Sequence, residues 1–148
     1  MSKTKQEIQA HIENVRLNLA AFCEELQKRA EAHDASKLSD AELPIFEAVD
    51  ATPRAAFGTP EYNERLNRLK PALDHHYAAN DHHPEHYENG VSGMNLAALV
   101  EMFCDWKAAS ERHADGNFER SIQINHERFG MPDMLAALFE NTRVNLGW

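Results

Sequence analysis

Apolar residues recur along much of this chain at intervals of three and four, the spacing that places them on one face of an α-helix. The longest such stripe consists of Ile8, Ile12, Val15, Leu19, Phe22, Leu26 and Ala30. Neither glycine nor proline interrupts it, so we expect one helix from about Lys5 to about His33. A continuous stripe of this kind could also serve as the seam of a helix-to-helix dimer.

A capping signal follows the long helix. In the sequence Ser39-Asp40-Ala41-Glu42 the Ser39 hydroxyl can cap a new helix while the Glu42 carboxylate reaches back to it. This predicts a short helix through Phe46 and Val49 that ends before Thr52. Residues 51–59 contain a proline and a glycine and are predicted to form a loop.

The middle of the chain is predicted to be helical and then irregular. Thr59 followed by Pro60 marks a helix start. Pro71 either kinks this helix or begins its successor, which extends toward Asn80. Residues 80–94 are the least regular stretch and the richest in histidine.

Three more helices complete the predicted fold. Asn95 caps the first, which ends near Asp115-Gly116; the second, from about Ile122 to Phe129, stops at Gly130; the last runs from Pro132 to about Val144. No segment alternates with a period of two for long enough to predict a strand. We therefore predict an all-α fold, a bundle of six or seven helices in one domain spanning residues 1–148.

Composition narrows the class of function. Of the 148 residues, 43% are hydrophobic and 26% charged, as in an ordinary soluble globular protein. The net charge is −9 and basic residues form no run, so we expect no nucleic-acid polymer as partner. Cys23 and Cys104 are not arranged as a redox pair, and there is neither a signal-peptide core nor an apolar run of roughly twenty residues. We expect a cytoplasmic protein without a membrane partner.

The candidate chemistry begins at His33-Asp34-Ala35-Ser36-Lys37. Imidazole nitrogen and carboxylate oxygen are both good ligands for first-row divalent ions, so His33 and Asp34 could share one ion, or Asp34 could bridge two. Lys37 lies one helical turn later and could bind a phosphate oxygen beside the metal.

A second cluster strengthens this interpretation. Five of the nine histidines lie between His75 and His86, within Asp74-His75-His76 and Asp81-His82-His83-Pro84-Glu85-His86. We favour His76 over His75 because it shares a helix face with apolar residues, whereas the choice between His82 and His83 stays open. Asp105 lies in an apolar helix, where a carboxylate is costly unless a metal or a base is paired with it. The alternative is a set of solvated side chains.

Taken in order, these residues make the chain resemble the HD-domain superfamily of all-helical, metal-dependent phosphohydrolases. His33-Asp34-x-x-Lys37 has the spacing of the His-Asp-x-Gly-Lys form of the family motif, with Ser36 in place of glycine. The Gly-Tyr-Pro signature of the cyclic-dinucleotide phosphodiesterases is missing. Nearly the whole chain also resembles a small, functionally uncharacterised family of bacterial and phage proteins.

The resemblance implies an HD-like bundle with one or two divalent ions (Mn, Fe, Co, Ni or Zn). The implied ligands are His33, Asp34, His76, His82, His83 and Asp105. Asp34 would also orient the nucleophile and Lys37 would neutralise the phosphate. The implied substrate is a small phosphorylated metabolite, a nucleotide being favoured. An HD-type di-iron oxygenase and a non-catalytic metal- or nucleotide-binding module are the alternatives.

One expected ligand is His11, which occupies the place of the histidine that HD proteins supply from the helix before the doublet. If the first helix is continuous, the 22 residues between His11 and His33 span about 33 Å, which is too far for a shared ion. His11 then contributes only if the helix turns back near Cys23 or if the partner in a dimer supplies it.

Overall fold

Six α-helices account for most of the residues that the computed structural model describes, which are 2–53, 59–112 and 116–148. No strand occurs among these residues, so the all-α prediction is confirmed. The chain divides into two units, Met1–Ala32 and His33–Trp148. The helices are α1 (Lys3–Ala32), α2 (Leu43–Asp50), α3 (Pro60–Ala79), α4 (Leu96–Ser110), α5 (Phe118–Phe129) and α6 (Asp133–Leu146).

The first unit is the single helix α1, which is continuous over 30 residues, as its unbroken apolar stripe predicts. None of its residues is fully buried. Pairs such as Glu13 with Arg16, whose side chains form two hydrogen bonds, stabilise its polar surface. No helix in the described part of the chain is long and apolar enough to cross a membrane.

The core of the second unit lies among α4, α5 and α6. Phe103 of α4 is at its centre, with its ring centroid 5.0 Å from those of Phe118 and Phe139. Asn95 caps α4 and Asn117 caps α5, each accepting a backbone N–H from the first turn of its helix. The buried core residues are Val91, Met102, Phe103, Trp106, Phe118, Ile122, Met131 and Phe139.

The helix α3 packs against α2. Arg65 of α3 donates hydrogen bonds to the carbonyl of Val49 at 2.6 Å and to the carboxylate of Asp50 at 2.8 Å. Pro71 lies within α3, which runs unbroken to Ala79, so the alternative that Pro71 begins a separate helix is wrong. Proline removes one backbone donor, and the remaining hydrogen bonds and the packing on α2 maintain the helix.

Three predicted features of the chain differ from the structure. The helix predicted from about Ile122 begins earlier, at Phe118, where Asn117 caps it. The capping box is wrong: α2 begins at Leu43, and the Glu42 side chain is buried against histidines instead of reaching back to Ser39. The helix after Asn95 ends at Ser110, earlier than the predicted Asp115-Gly116. Asp115 and most of the predicted 51–59 loop, residues 54–58, lie outside the described residues.

Short 3₁₀ turns position the residues around α3 and α4. They span Ala35–Leu38, Pro84–His86 and Gly90–Gly93. At Gly93 an added Cβ would lie 2.8 Å from the Cβ of Tyr87, so the close approach of these two segments requires glycine.

We predict that Met102→Ala lowers the free energy of unfolding by about 2–5 kcal/mol, because Met102 is 1% exposed and its loss leaves a cavity. Leu96 on the same helix is 64% exposed, and Leu96→Ala should change the free energy of unfolding by less than about 0.5 kcal/mol. Urea denaturation measures both values. Equal effects of the two substitutions would contradict the assigned core.

Candidate metal centre

The side chain of Asp34 lies at the centre of a group of imidazoles. Its Oδ1 is 3.2 Å from Nε2 of His76 and 3.5 Å from Nε2 of His82. Its Oδ2 is 3.4 Å from Nε2 of His33. His76 belongs to α3, His82 to the turn that follows it, and His33 and Asp34 precede the 3₁₀ turn Ala35–Leu38. Three imidazoles, from the neighbouring residue and from two more distant segments, thus present Nε2 to one carboxylate.

His83 completes the group from a loop. The helix α3 ends at Ala79, so His83 is not on the helical face of His76, although the two are seven residues apart. The turn after Asn80 nevertheless returns the chain, and the Nε2 atoms of His76 and His83 are 2.9 Å apart. Both His82 and His83 therefore lie close to Asp34 and His76, so the structure brings together both histidines that the sequence left as alternatives.

The spacing of these atoms matches that of ligands around a single ion. At a metal–ligand bond of about 2.1 Å, two ligands are roughly 3.0 Å apart at a right angle and roughly 3.4 Å apart at the tetrahedral angle. The distances of 2.9, 3.2 and 3.5 Å lie in this range or within about 0.1 Å of it. One ligand atom from each of Asp34, His76, His82 and His83 lies within 4.8 Å of every other.

Two atoms of this group are buried without a hydrogen-bond partner among the described residues. They are Oδ1 of Asp34 and Nε2 of His82. A buried polar atom without a partner costs roughly 1–3 kcal/mol. Because the two atoms point toward each other across 3.5 Å, one cation between them would satisfy both.

Two carboxylates, the buried Glu42 and the partly buried Glu101, contact the rings on the side away from Asp34. Oε1 of Glu101 accepts a hydrogen bond from Nδ1 of His33 at 2.8 Å and lies 3.1 Å from Nδ1 of His82. Glu42 faces Nδ1 of His76 at 3.0 Å. An ionised carboxylate only accepts hydrogen bonds, so each Nδ1 carries a proton. Each Nε2 either carries a second proton, which it can donate to Asp34, or keeps its lone pair for a metal.

These two glutamates were not predicted from the sequence as parts of the site. Glu101 lies four residues before Asp105, on the same face of α4, and this spacing is the signal that could have identified it. Glu42 was noted in the sequence, but as part of a capping box with Ser39. Its carboxylate also accepts a hydrogen bond from Nδ1 of His75 at 2.7 Å.

Two of the candidate ligands, Asp34 and His83, have pKa values shifted toward the forms that bind a metal. Burial raises the pKa of Asp34, but His76, His82 and Lys37 lower it by more, so the pKa of this carboxyl lies well below its usual range. Burial, together with the charges of His82 and His76, lowers the pKa of His83 to about 3. Near neutral pH Asp34 is therefore ionised and His83 is neutral, as metal coordination requires.

Asp105 and His33 form a second, looser group with Asp34. Oδ1 of Asp105 is 3.7 Å from Nε2 of His33, and one ligand atom from each of the three residues lies within 4.8 Å of the others. The sequence prediction placed the same three residues together. A third such group contains His33, His82 and Glu101.

Lys37 contacts Oδ2 of Asp34 within the 3₁₀ turn. Its side chain is 38% exposed, whereas that of Asp34 is 16% exposed. The ammonium group therefore lies at the boundary between the buried ligand group and solvent, where it can reach an anion.

Residues 1–146 match a protein family described as a family of unknown function (DUF5662). The chain belongs to this family. No curated protein and no solved structure matches it. The DUF5662 description assigns no chemistry, so a functional assignment depends on the geometry of the site.

Two other histidines of this DUF5662 chain stand apart from the converging atoms. His11 lies in the exposed helix α1 and is in none of the candidate ligand groups among the described residues. The continuous α1 places it about 32 Å along the helix from Ala32, as the length argument anticipates. His75 is 46% exposed and bonds to Glu42 instead.

We predict that Glu42→Gln lowers the free energy of unfolding by about 1–3 kcal/mol, because the new amide group has one acceptor oxygen in place of two and cannot accept from both His75 and His76. Glu47, an exposed residue of α2, provides the matched control Glu47→Gln. Equilibrium unfolding in urea measures both. If the two variants are equally stable, Glu42 does not anchor the rings.

Proposed function

We propose that this protein is a metal-dependent phosphohydrolase that acts on a small phosphorylated metabolite, with nucleotides as the first substrate class to test. The observation that carries the proposal is the pair of buried, unpartnered atoms, Oδ1 of Asp34 and Nε2 of His82, which face each other beside two further imidazoles. A divalent ion is the partner whose size and charge fit this gap.

The donor set indicates which ions fit. Three imidazole nitrogens and one carboxylate oxygen suit Mn, Fe, Co, Ni or Zn, whereas Mg and Ca prefer oxygen ligands alone. His76, His82, His83 and Oδ1 of Asp34 would hold one ion. His33, Asp105 and Oδ2 of Asp34 could hold a second, in which case Asp34 would bridge the two.

When bound, such an ion supplies Lewis acidity and lowers the pKa of water toward neutrality. The protein supplies orientation and charge. Glu42 and Glu101 fix the imidazole rings, so the ligand atoms need little rearrangement. Asp34 stays ionised and can accept a hydrogen bond from an attacking water, while Asp105 provides a second carboxylate nearby.

Lys37 supports a phosphate ester as the substrate. Its ammonium group adjoins the ligand group and is partly exposed, so it can exchange its contact with Asp34 for one with a phosphate oxygen. An oxygenase acting on a neutral substrate would have no use for this charge. The alternatives are a di-iron oxygenase and a metal-binding module without activity.

We predict that the purified protein contains a stoichiometric first-row divalent ion and releases phosphate from at least one nucleotide with Mn²⁺ or Co²⁺. Asp34→Asn should lose most of the metal and the activity, because it removes the charge shared by the candidate ligand groups. Asp40→Asn, an exposed neighbour in the same segment, should keep both. Elemental analysis and a phosphate-release screen measure these properties.

The same experiment distinguishes the alternatives when O₂ consumption is measured as well. Bound metal without phosphate release from any nucleotide would support a binding module, and bound iron with O₂ consumption would support an oxygenase. A protein without metal, whose properties are unchanged by Asp34→Asn and Asp105→Asn, would contradict the whole assignment.

We further predict that Lys37→Met lowers kcat for phosphate release by about 10²–10³-fold, since one charged group is lost from the developing phosphoryl charge. The metal content should not change, because Lys37 is not a ligand. Lys70→Met removes an exposed lysine of α3 and serves as the control. Steady-state kinetics with elemental analysis measures both variants, and unchanged kcat in Lys37→Met would exclude the phosphate role.

A further inference from the structure

The apolar stripe of α1 points to an interface. We propose that α1 pairs with α1 of a second copy of this chain as a short antiparallel coiled coil. This proposal is independent of the phosphohydrolase assignment, because it concerns residues that take no part in the candidate metal centre.

The stripe is exposed along most of its length. Ile12 and Leu19 are each 61% exposed, and Ile8 and Val15 are exposed as well. Phe22 and Leu26 at the C-terminal end are half-buried. A row of four large aliphatic side chains on one face of a helix is unfavourable in water, and contiguous exposed apolar patches commonly mark interaction sites.

The spacing of the stripe identifies the occupant. From Ile8 to Leu26 the intervals are four, three, four, three and four, which is the heptad pattern of a coiled-coil seam over almost three heptads. This series reads the same in both directions about Leu17. A second copy running antiparallel therefore places an apolar residue opposite each apolar residue: Ile8 with Leu26, Ile12 with Phe22, and Val15 with Leu19.

Charge favours the antiparallel orientation. Residues 3–16 contain three basic and two acidic side chains, whereas residues 17–32 contain two basic and three acidic ones. Antiparallel pairing brings the positive half of each helix beside the negative half of the other. It also opposes the two helix dipoles, which parallel pairing would align. Because each patch contacts its own copy, the interface is closed and two-fold symmetric.

The seam is tested with the full-length chain by sedimentation equilibrium over a wide concentration range. The natural protein should dimerise, and the double variant Ile12→Asp, Leu19→Asp should raise the dissociation constant on the order of 100-fold or more, because it buries unpaired charges. Leu17→Asp is the matched control: Leu17 is 52% exposed on the same helix but lies off the stripe. This variant should dimerise normally.

Circular dichroism would show whether all variants keep their helix content. A natural protein that stays monomeric at every concentration would overturn the proposal, as would a dimer that survives the double variant. An equal loss of dimerisation in Leu17→Asp would show that the stripe is not the dimer seam. Because the metal content is measured separately, failure here leaves the proposed function untouched.

Orientation is tested by disulfide crosslinking in a background in which Cys23 and Cys104 are replaced by serine. Positions 12 and 22 are ten residues apart, or about 15 Å along the helix. In an antiparallel pair, Ile12→Cys and Phe22→Cys proteins should crosslink when mixed and neither should crosslink alone. Self-crosslinking of either variant would overturn the antiparallel arrangement.

Discussion

A buried hydrogen-bond acceptor needs either a donor or a cation as its partner. In the second unit of this protein the carboxylate of Asp34 has such a partner on only one of its two oxygens. Lys37 contacts Oδ2 of Asp34, whereas Oδ1 faces the Nε2 atoms of His76 and His82. Those nitrogens could donate to Asp34 only if both rings were doubly protonated. A divalent ion satisfies the same atoms without two additional charged imidazoles.

The surrounding structure maintains this unfavourable arrangement. Asp34 adopts a left-handed backbone conformation, with φ of 56°, which few residues other than glycine occupy. Strain of this kind is of order 1–3 kcal/mol and concentrates at functional sites. Glu42 and Glu101 hold the imidazoles in place from two different elements. The backbone strain, the oriented rings and the atoms without a hydrogen-bond partner therefore all lie at Asp34 and the imidazoles around it.

The sequence predicted the helices well because their signals are local. The stripe of α1, the Asn95 cap and the stop at Gly130 each depend on residues a few positions apart. The converging side chains were also anticipated, since His33-Asp34 and the histidine cluster are unusual as local sequences. What failed was the role of Glu42, because a capping box and a buried partner of histidine look the same until the tertiary contacts are known. Glu101 was missed although its spacing from Asp105 is visible in the sequence, because its partners His33 and His82 are known only from the tertiary contacts.

The most direct test of the central claim is a crystal structure of the protein prepared with Mn²⁺ or Zn²⁺, with anomalous scattering measured at the metal edge. We predict an anomalous peak from a metal ion that lies about 2.0–2.2 Å from Oδ1 of Asp34 and from Nε2 of His82. A peak elsewhere, or no peak while an ordered water or a proton joins these two atoms, would contradict it.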